Sequence, residues 1–300
     1  MSGPDHVRDD LGRIARDAGV VAGVHASRLS GPPGSVGLAQ EETVAIASVY
    51  KLPLALAWAD AVESGDVDPT GTMCLAATDR VPGPTGVALL DDDVTMTQRD
   101  VVRLMVTVSD NAAGDAVLAL LGRERVHAHL RRLGLPTTLV RQGSADETRA
   151  IIRDTGADDR AGALRTLADP DRRADTSQYD PAYASAASPH QLTTVLRILW
   201  SRTGRAHALV RAALAQQAWR HRIGSGFPHD DVAVHGKTGS LGRLRHEAAV
   251  VHFPHEHPIA VTVLTQAVRP ERHLPVVDAA IGELARRAVT PLRMPTRELY

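Results

Sequence analysis

The chain has 300 residues, enough for one large domain or two lobes sharing a core, and its 43% hydrophobic and 23% charged fractions exclude wholesale disorder. With 34 basic against 35 acidic residues the formal net charge is −1, so no overall field draws the chain to nucleic-acid backbones or anionic membranes. Aromatic residues make up only 3%, which removes the usual stacking platform for single-stranded bases, and the single cysteine, Cys74, excludes an intrachain disulfide and reads as a small core residue.

Met1 to Gly19 is broken by Asp5, Arg8, Asp9, Asp10, Arg13, Arg16 and Asp17, and no run approaches the ~20 apolar residues that span a bilayer. The expectation is therefore a soluble cytoplasmic protein without a signal peptide. Val7, Leu11, Ile14, Ala15 and Ala18 recur at helical spacing and predict a first helix stopping at Gly19. Val20 to Leu29 reads as a strand, Ser30 to Gly34 as a turn into a second short strand, and Glu42 to Ala47 as a third. A helix is expected from Ser48 to the stop at Ser64-Gly65, with Pro53 tolerated near its start. Thr97 to Asp100 resembles a capping box opening a helix to Val108, and helical spacing resumes after Ser109-Asp110-Asn111 as far as Gly122 and from Arg125 to Leu133.

Residues 141 to 189 lack a clear apolar stripe and read as a long functional loop with short helical pieces. Helices follow from Pro189 and near Ala206 to Trp219, then strands over Val232 to Ser240, Glu247 to Phe253 and Pro258 to Gln266, and a last helix near Val276 to Val289. Strands at both ends with helices between them predict an α+β fold: an antiparallel sheet from residues 1–46 and 223–300 flanked by helices, and a helical lobe from 47–222 that includes the loop.

Three short motifs carry chemistry. Ser48-Val49-Tyr50-Lys51 would place an amine one helical turn from a hydroxyl, and a lysine crowded by apolar neighbours can lose its proton and serve as base. Ser109-Asp110-Asn111 offers a hydroxyl and an amide between two helices, though a helix cap would explain it equally well. Lys237-Thr238-Gly239-Ser240 lies in a strand pattern where glycine lets a ligand approach the backbone, the alternative being an edge strand guarded by lysine. Arg243 and Arg245 follow and could give a bidentate carboxylate contact, the alternative being a surface role, and His235 could line the same cleft. His252, His255 and His257 fall in a hairpin turn and read as solvated rather than as a metal site.

Taken in order, Ser-x-x-Lys, Ser-Asp-Asn and Lys-Thr-Gly make the chain resemble the class A serine β-lactamase family, with likeness over most of its length. The resemblance implies a β-lactamase/transpeptidase-like fold, with Ser48 the acylated nucleophile, Lys51 its proton acceptor or relay and Ser109 a shuttle to the leaving nitrogen. It further implies that Asn111 hydrogen-bonds a substrate amide, that Lys237 and Thr238 bind the substrate carboxylate or tune Ser109, that the backbone N–H groups of Ser48 and Ser240 form the oxyanion hole, and that no cofactor or metal is needed. The partner would be a small acyl substrate: a β-lactam, amide or ester. One departure stands out. The family's loop glutamate, in the pattern Glu-x-x-Leu-Asn, would fall near Gly143 if Arg141 is the arginine before it, and Glu147 is the nearest glutamate. Glu147 is therefore the candidate deacylation base, against a solvated loop carboxylate. Without a placed base the acyl-enzyme persists, which opens two alternatives: an esterase or acyltransferase using the same site, and a penicillin-trapping or ligand-sensing homologue.

Overall fold

The computed structural model describes residues 4–172 and 174–296. In chain order it contains α1 (Pro4–Asp17), β1 (Val20–Arg28), β2 (Ser35–Leu38), β3 (Val44–Ala45), α2 (Lys51–Glu63), β4 (Thr72–Leu75) and β5 (Val94–Thr97). Five helices follow, α3 (Gln98–Thr107), α4 (Asn111–Leu121), α5 (Arg123–Arg132), α6 (Ser144–Thr155) and α7 (Arg160–Leu167). The chain then forms β6 (Ala186–Ala187), α8 (Pro189–Ser201), α9 (Arg205–Ala215), β7 (Ala233–Leu241), β8 (Leu244–His252), β9 (Ile259–Ala267) and α10 (Pro275–Val289).

The main sheet is antiparallel, in the order β2-β1-β9-β8-β7, so strands from both ends of the chain meet where β1 pairs with β9. Side chains alternate across a strand, and β8 uses both faces. Ala248 and Val250 join the apolar cluster of the helical region, whereas Ala249 and Val251 pack with α1 and α10. The sheet thus separates two cores and leaves β7 as an edge beside the helices. The division into lobes at 1–46 with 223–300 and at 47–222 remains our proposal, supported by the strand positions; residues 1–3, 173 and 297–300 of those ranges lie outside the described residues.

Several elements differ from expectation. Residues 141 to 189 form a long connection with helical pieces, as expected, but one of these, α6, runs for 12 residues. The buried face of α6 is Ser144, Thr148, Ala150 and Ile151, half of it hydroxyl-bearing, so its periodicity escapes a hydrophobic count. The segment is tied down by polar contacts: Asp154 accepts hydrogen bonds from the Thr176 and Ser177 hydroxyls and from the Ser177 N–H at 2.6–2.8 Å. Thr97 makes no cap to backbone, its hydroxyl donating instead to Asp100 at 2.7 Å. A reciprocal capping box does form at Ser188 and Gln191, opening α8. Cys74 is exposed on β4 and not a core residue, because the strand turns its neighbours Met73 and Leu75 toward the helical core and Cys74 to the opposite side.

Candidate active site

Ser48 sits in a 3-10 turn, Ala47–Tyr50, that runs directly into α2, so the nucleophile candidate stands at a helix entrance. Ala47 has φ +46°, a conformation that costs an alanine energy and persists only where the surroundings enforce it. Two contacts do so. Ile46 N–H donates to Ser185 O at 2.9 Å while β3 pairs with β6, and β7 presses on the other side. A Cβ on Gly239 would lie 2.6 Å from Ile46 O and 2.8 Å from a Val49 methyl carbon, so only glycine lets β7 pass this close to the Ser48 turn.

Lys51, at the first position of α2, is fully buried at 0% exposure. Its Nζ donates to Ser109 O at 2.7 Å and Asn111 Oδ1 at 2.9 Å, and lies 3.4 Å from Ser109 Oγ. Gly114 of α4 makes room for it, since a Cβ there would lie 2.9 Å from Lys51 Cε. Burial pushes the amine down to about 8, against the opposing pull of Glu147, Asp110 and Asp115. The direct Lys51 to Ser48 hydrogen bond expected from helical spacing is not among the contacts of the described residues. The 3-10 turn and the two acceptors across the cleft hold the amine toward Ser109 and Asn111 instead.

Ser109 occupies the break between α3 and α4 at φ +59°, again a strained backbone beside the cleft. The middle residue of its motif is structural: Asp110 Oδ1 caps α4 through Ala113 N–H, and its Oδ2 accepts from Val87 N–H at 2.7 Å. Lys237, on β7 and also at 0% exposure, donates to Ser109 Oγ at 2.9 Å and to Thr238 O at 2.7 Å. Burial first, then the charges of Lys51 and Arg222, hold its amine well below the ordinary lysine value. Ser109 Oγ is therefore bracketed by two buried amines.

A cleft of about 230 Å³ is lined by Ser48, Ser109, Asn111, Thr238 and Ser240 together with Arg160 and Arg222. Sequence reasoning missed both arginines. Arg222 donates to Gly239 O and His246 O at 2.9 Å and to Ser240 Oγ at 2.6 Å, and pairs with Asp278 at 2.7 Å, so it braces the strand carrying Thr238 and Ser240. The basic run around Trp219 to Arg222 was the only signal for it. Behind the same strand Glu247 of β8 stands opposite Thr238 and accepts Ile223 N–H at 2.7 Å; burial lifts its carboxyl to about 7.

The side of the cleft facing α6 departs from the family pattern. A Cβ on Gly143 would fall 2.2 Å from Asp115 Oδ1, so a larger residue there would collide with this carboxylate. Asp115, one turn along α4 from Asn111, accepts the Ser144 and Ala145 N–H groups at 2.6 and 2.9 Å and so caps α6 from outside. Ser144 Oγ donates to Asn111 Oδ1 at 3.2 Å and lies 3.1 Å from Tyr50 Oη, which links α6 to the Lys51 network. Glu147 lies in the first turn of α6. Its carboxyl is raised by burial, with Arg160 and Lys51 opposing the rise, and its charge is the strongest of those that favour the protonated Lys51.

The remaining sequence candidates lie elsewhere. Arg243 stacks over Tyr179, 4.6 Å from the ring centroid, with Asp175 at 3.5 Å, because the two-residue turn after Leu241 aims it at the 175–179 segment. Arg245 is buried and bonded to the Gly242, Leu244 and Arg272 carbonyls, in a groove adjoining the cleft. His235 packs on Trp200 and His252 and bonds Arg211 O at 3.1 Å, away from Ser48. The histidine run diverges: His252 accepts from Trp200 Nε1, whereas His257 bonds Ser30 Oγ. Among the described residues no group of three or more His, Cys, Asp or Glu is arranged to hold a metal ion.

A five-stranded antiparallel sheet, a helical region and this cleft between them define a class A β-lactamase-like fold. The profile described as the beta-lactamase enzyme family matches residues 6–291, and the chain belongs to that family. A curated relative, the "beta-lactamase regulatory protein BlaB" of Streptomyces cacaoi, is 30% identical over 276 residues, covering 86% of this chain and 88% of that protein. Among solved structures, a double mutant of the class A β-lactamase of the last common ancestor of Gram-negative bacteria superposes with a TM-score of 0.75 at 21% identity, covering 95% and 98% of the two chains. A mutant of PBP-A, in an acyl-enzyme complex with penicillin G, gives 0.74 at 16% identity over 96% of each chain.

Proposed function

We propose that the protein is a serine acyl-transfer enzyme that opens a β-lactam or related amide through an acyl-enzyme on Ser48. The observation that carries the reading is the pair of fully buried amines, Lys51 and Lys237, converging on Ser109 Oγ beside Ser48. A neutral amine has two N–H donors and one lone pair. The two close acceptors of Lys51, Ser109 O and Asn111 Oδ1, use the donors and leave the lone pair for a hydroxyl proton.

Ser48 Oγ attacks the carbonyl and its proton passes to Lys51. The oxyanion is held by the N–H groups of Ser48 and Ser240. The C–N bond then breaks as Ser109 protonates the leaving nitrogen and takes in turn from Lys51 the proton that Ser48 gave up, which leaves both lysines as they began. Lys237, Thr238 and Ser240 hold the substrate carboxylate, with Arg222 reinforcing the positive field, and Asn111 holds the substrate amide. Glu147 activates the deacylating water.

A second reading, a homologue that traps or senses a β-lactam without turnover, is favoured by the missing glutamate at Gly143 and by the regulatory name of the 30% identical relative. Chromogenic cephalosporin hydrolysis, read together with intact mass, separates the two. Turnover that Ser48→Ala abolishes supports the hydrolase, and a stoichiometric Ser48 adduct without turnover supports the trap. Absence of any adduct with β-lactam, ester or amide donors overturns both.

A further inference from the structure

Beyond Ser240 the Ser48 cleft opens into a groove of about 380 Å³ that shares Pro84, Arg160 and Ser240 with it. One wall is α7, which supplies Arg160 and Arg165; the other is the β7–β8 turn with Arg245, and Arg272 from the segment after β9. In a chain with a formal net charge of −1 this is a strong local excess of one sign. None of the four guanidinium groups forms a salt bridge among the described residues. The carboxylate on the groove wall, Glu271, lies instead 3.4 Å from Arg269.

Two other guanidinium groups find carboxylates, Arg222 with Asp278 and Arg287 with Asp10, whereas Arg28, 9% exposed, is met like Arg245 by backbone carbonyls. In the groove, Arg245 is only 8% exposed and is met by backbone carbonyls alone, and Arg160 Nε is buried with no hydrogen-bond partner among the described residues, the Glu147 carboxyl acting on Arg160 through its charge only. A buried cation and an unused donor cost free energy unless an anion completes them. An arginine fork suits a carboxylate or a phosphate, and the enclosed volume suits a small molecule.

We propose that this groove is an anion subsite, and that the natural acyl donor carries a second carboxylate or phosphate on its acyl side, seated among Arg160, Arg165, Arg245 and Arg272 while its carbonyl faces Ser48. The assignment of the acyl side rests on the acyl-enzyme reading, in which Lys237 and Thr238 hold the anion at the leaving side. Lys237 and the groove lie at opposite ends of the β7 segment that borders the cleft, with Ser240 between them.

The test compares Ser48 acylation, followed by intact mass at low salt, for two penicillins whose acylamino side chains differ only in ending in a phenyl group or in a carboxylate. A charge-assisted pair of this kind is worth about tenfold or more, so the dianionic donor should acylate at least about tenfold faster. The preference should fall below about threefold in Arg160→Gln/Arg165→Gln and to an intermediate value in Arg160→Lys/Arg165→Lys, which keeps both charges but loses the fork. Equal rates in the wild type, or an unaltered preference in Arg160→Gln/Arg165→Gln, overturn the proposal.

Calorimetry with inorganic phosphate judges the subsite apart from the chemistry. Binding that Arg160→Gln/Arg165→Gln loses supports an anion site even if neither penicillin acylates Ser48, in which case it is the acyl-enzyme reading that fails. No binding, or binding the variant retains, removes the site. Phosphate that binds without slowing the dianionic donor removes the substrate assignment.

Discussion

The two flanks of Ser48 are built differently. Toward β7 and α4, Lys51, Ser109, Asn111 and Lys237 form a closed set of short hydrogen bonds around buried amines. Toward α6, Gly143 has no room for a side chain, Asp115 is spent on capping, and Glu147 reaches the site through its field on Lys51. In the proposed reaction the first flank forms the acyl-enzyme and the second governs how long it lasts. Sharing a fold with β-lactamases therefore does not by itself predict turnover, because the two half-reactions depend on separate elements.

The largest expected effect lies on the first flank. Lys51→Ala should slow Ser48 acylation by about 10³-fold, within the usual range for a general base. In the wild type the acylation rate should rise with pH through about 8, because the amine accepts a proton only once it has lost its own. Stopped-flow acylation that is flat across this range would assign the base elsewhere.

On the second flank, Glu147→Gln should leave acylation within about threefold while lengthening the adduct lifetime by about 10²-fold. Intact-mass decay gives the lifetime directly. An unchanged lifetime would make Glu147 a solvated carboxylate and turn the contrast between flanks into one between a working half and an absent one.

The smallest effect is on stability, from Glu247 behind β7. Its folded pKa, about 7, lies above the ordinary 4.5, so between these values the folded protein binds more protons than the unfolded chain. Stability should therefore fall as pH rises from about 4.5 to about 7 and then stay level, by roughly 3 kcal/mol at most. Glu247→Gln should flatten this dependence in urea melts at several pH values; an unaltered slope would assign the proton uptake to another group.

Much of the fold was legible because it rests on pattern. Val20 to Arg28, the strands after Val232, and the helices at Asp5, Pro189 and Val276 all carry apolar periodicity or turn residues that match what forms. Helix α6 was not, because its inner face is held by hydroxyls and by the carboxylate of Asp115 from another helix. In the site, the three motifs located Ser48, Lys51, Ser109, Asn111 and Lys237, since each motif is local. Ser144 and Asp115 were missed because each acts across a long sequence separation with no local signature, and Arg222 because a short basic run is its only local signal.

The sequence by itself determined the order of elements and which residue types could do acyl chemistry, since periodicity and motif spacing are properties of neighbouring residues. Tertiary structure alone decided the protonation and direction of those groups. Lys51 drops to about 8 only because α2, α4 and α6 close over it, and Arg243 turns toward Tyr179 while Arg245 and Arg160 come to line one groove only because α7 packs beside the β7–β8 turn. Burial and long-range contact set charge and aim, and neither can be read from residues three or four apart.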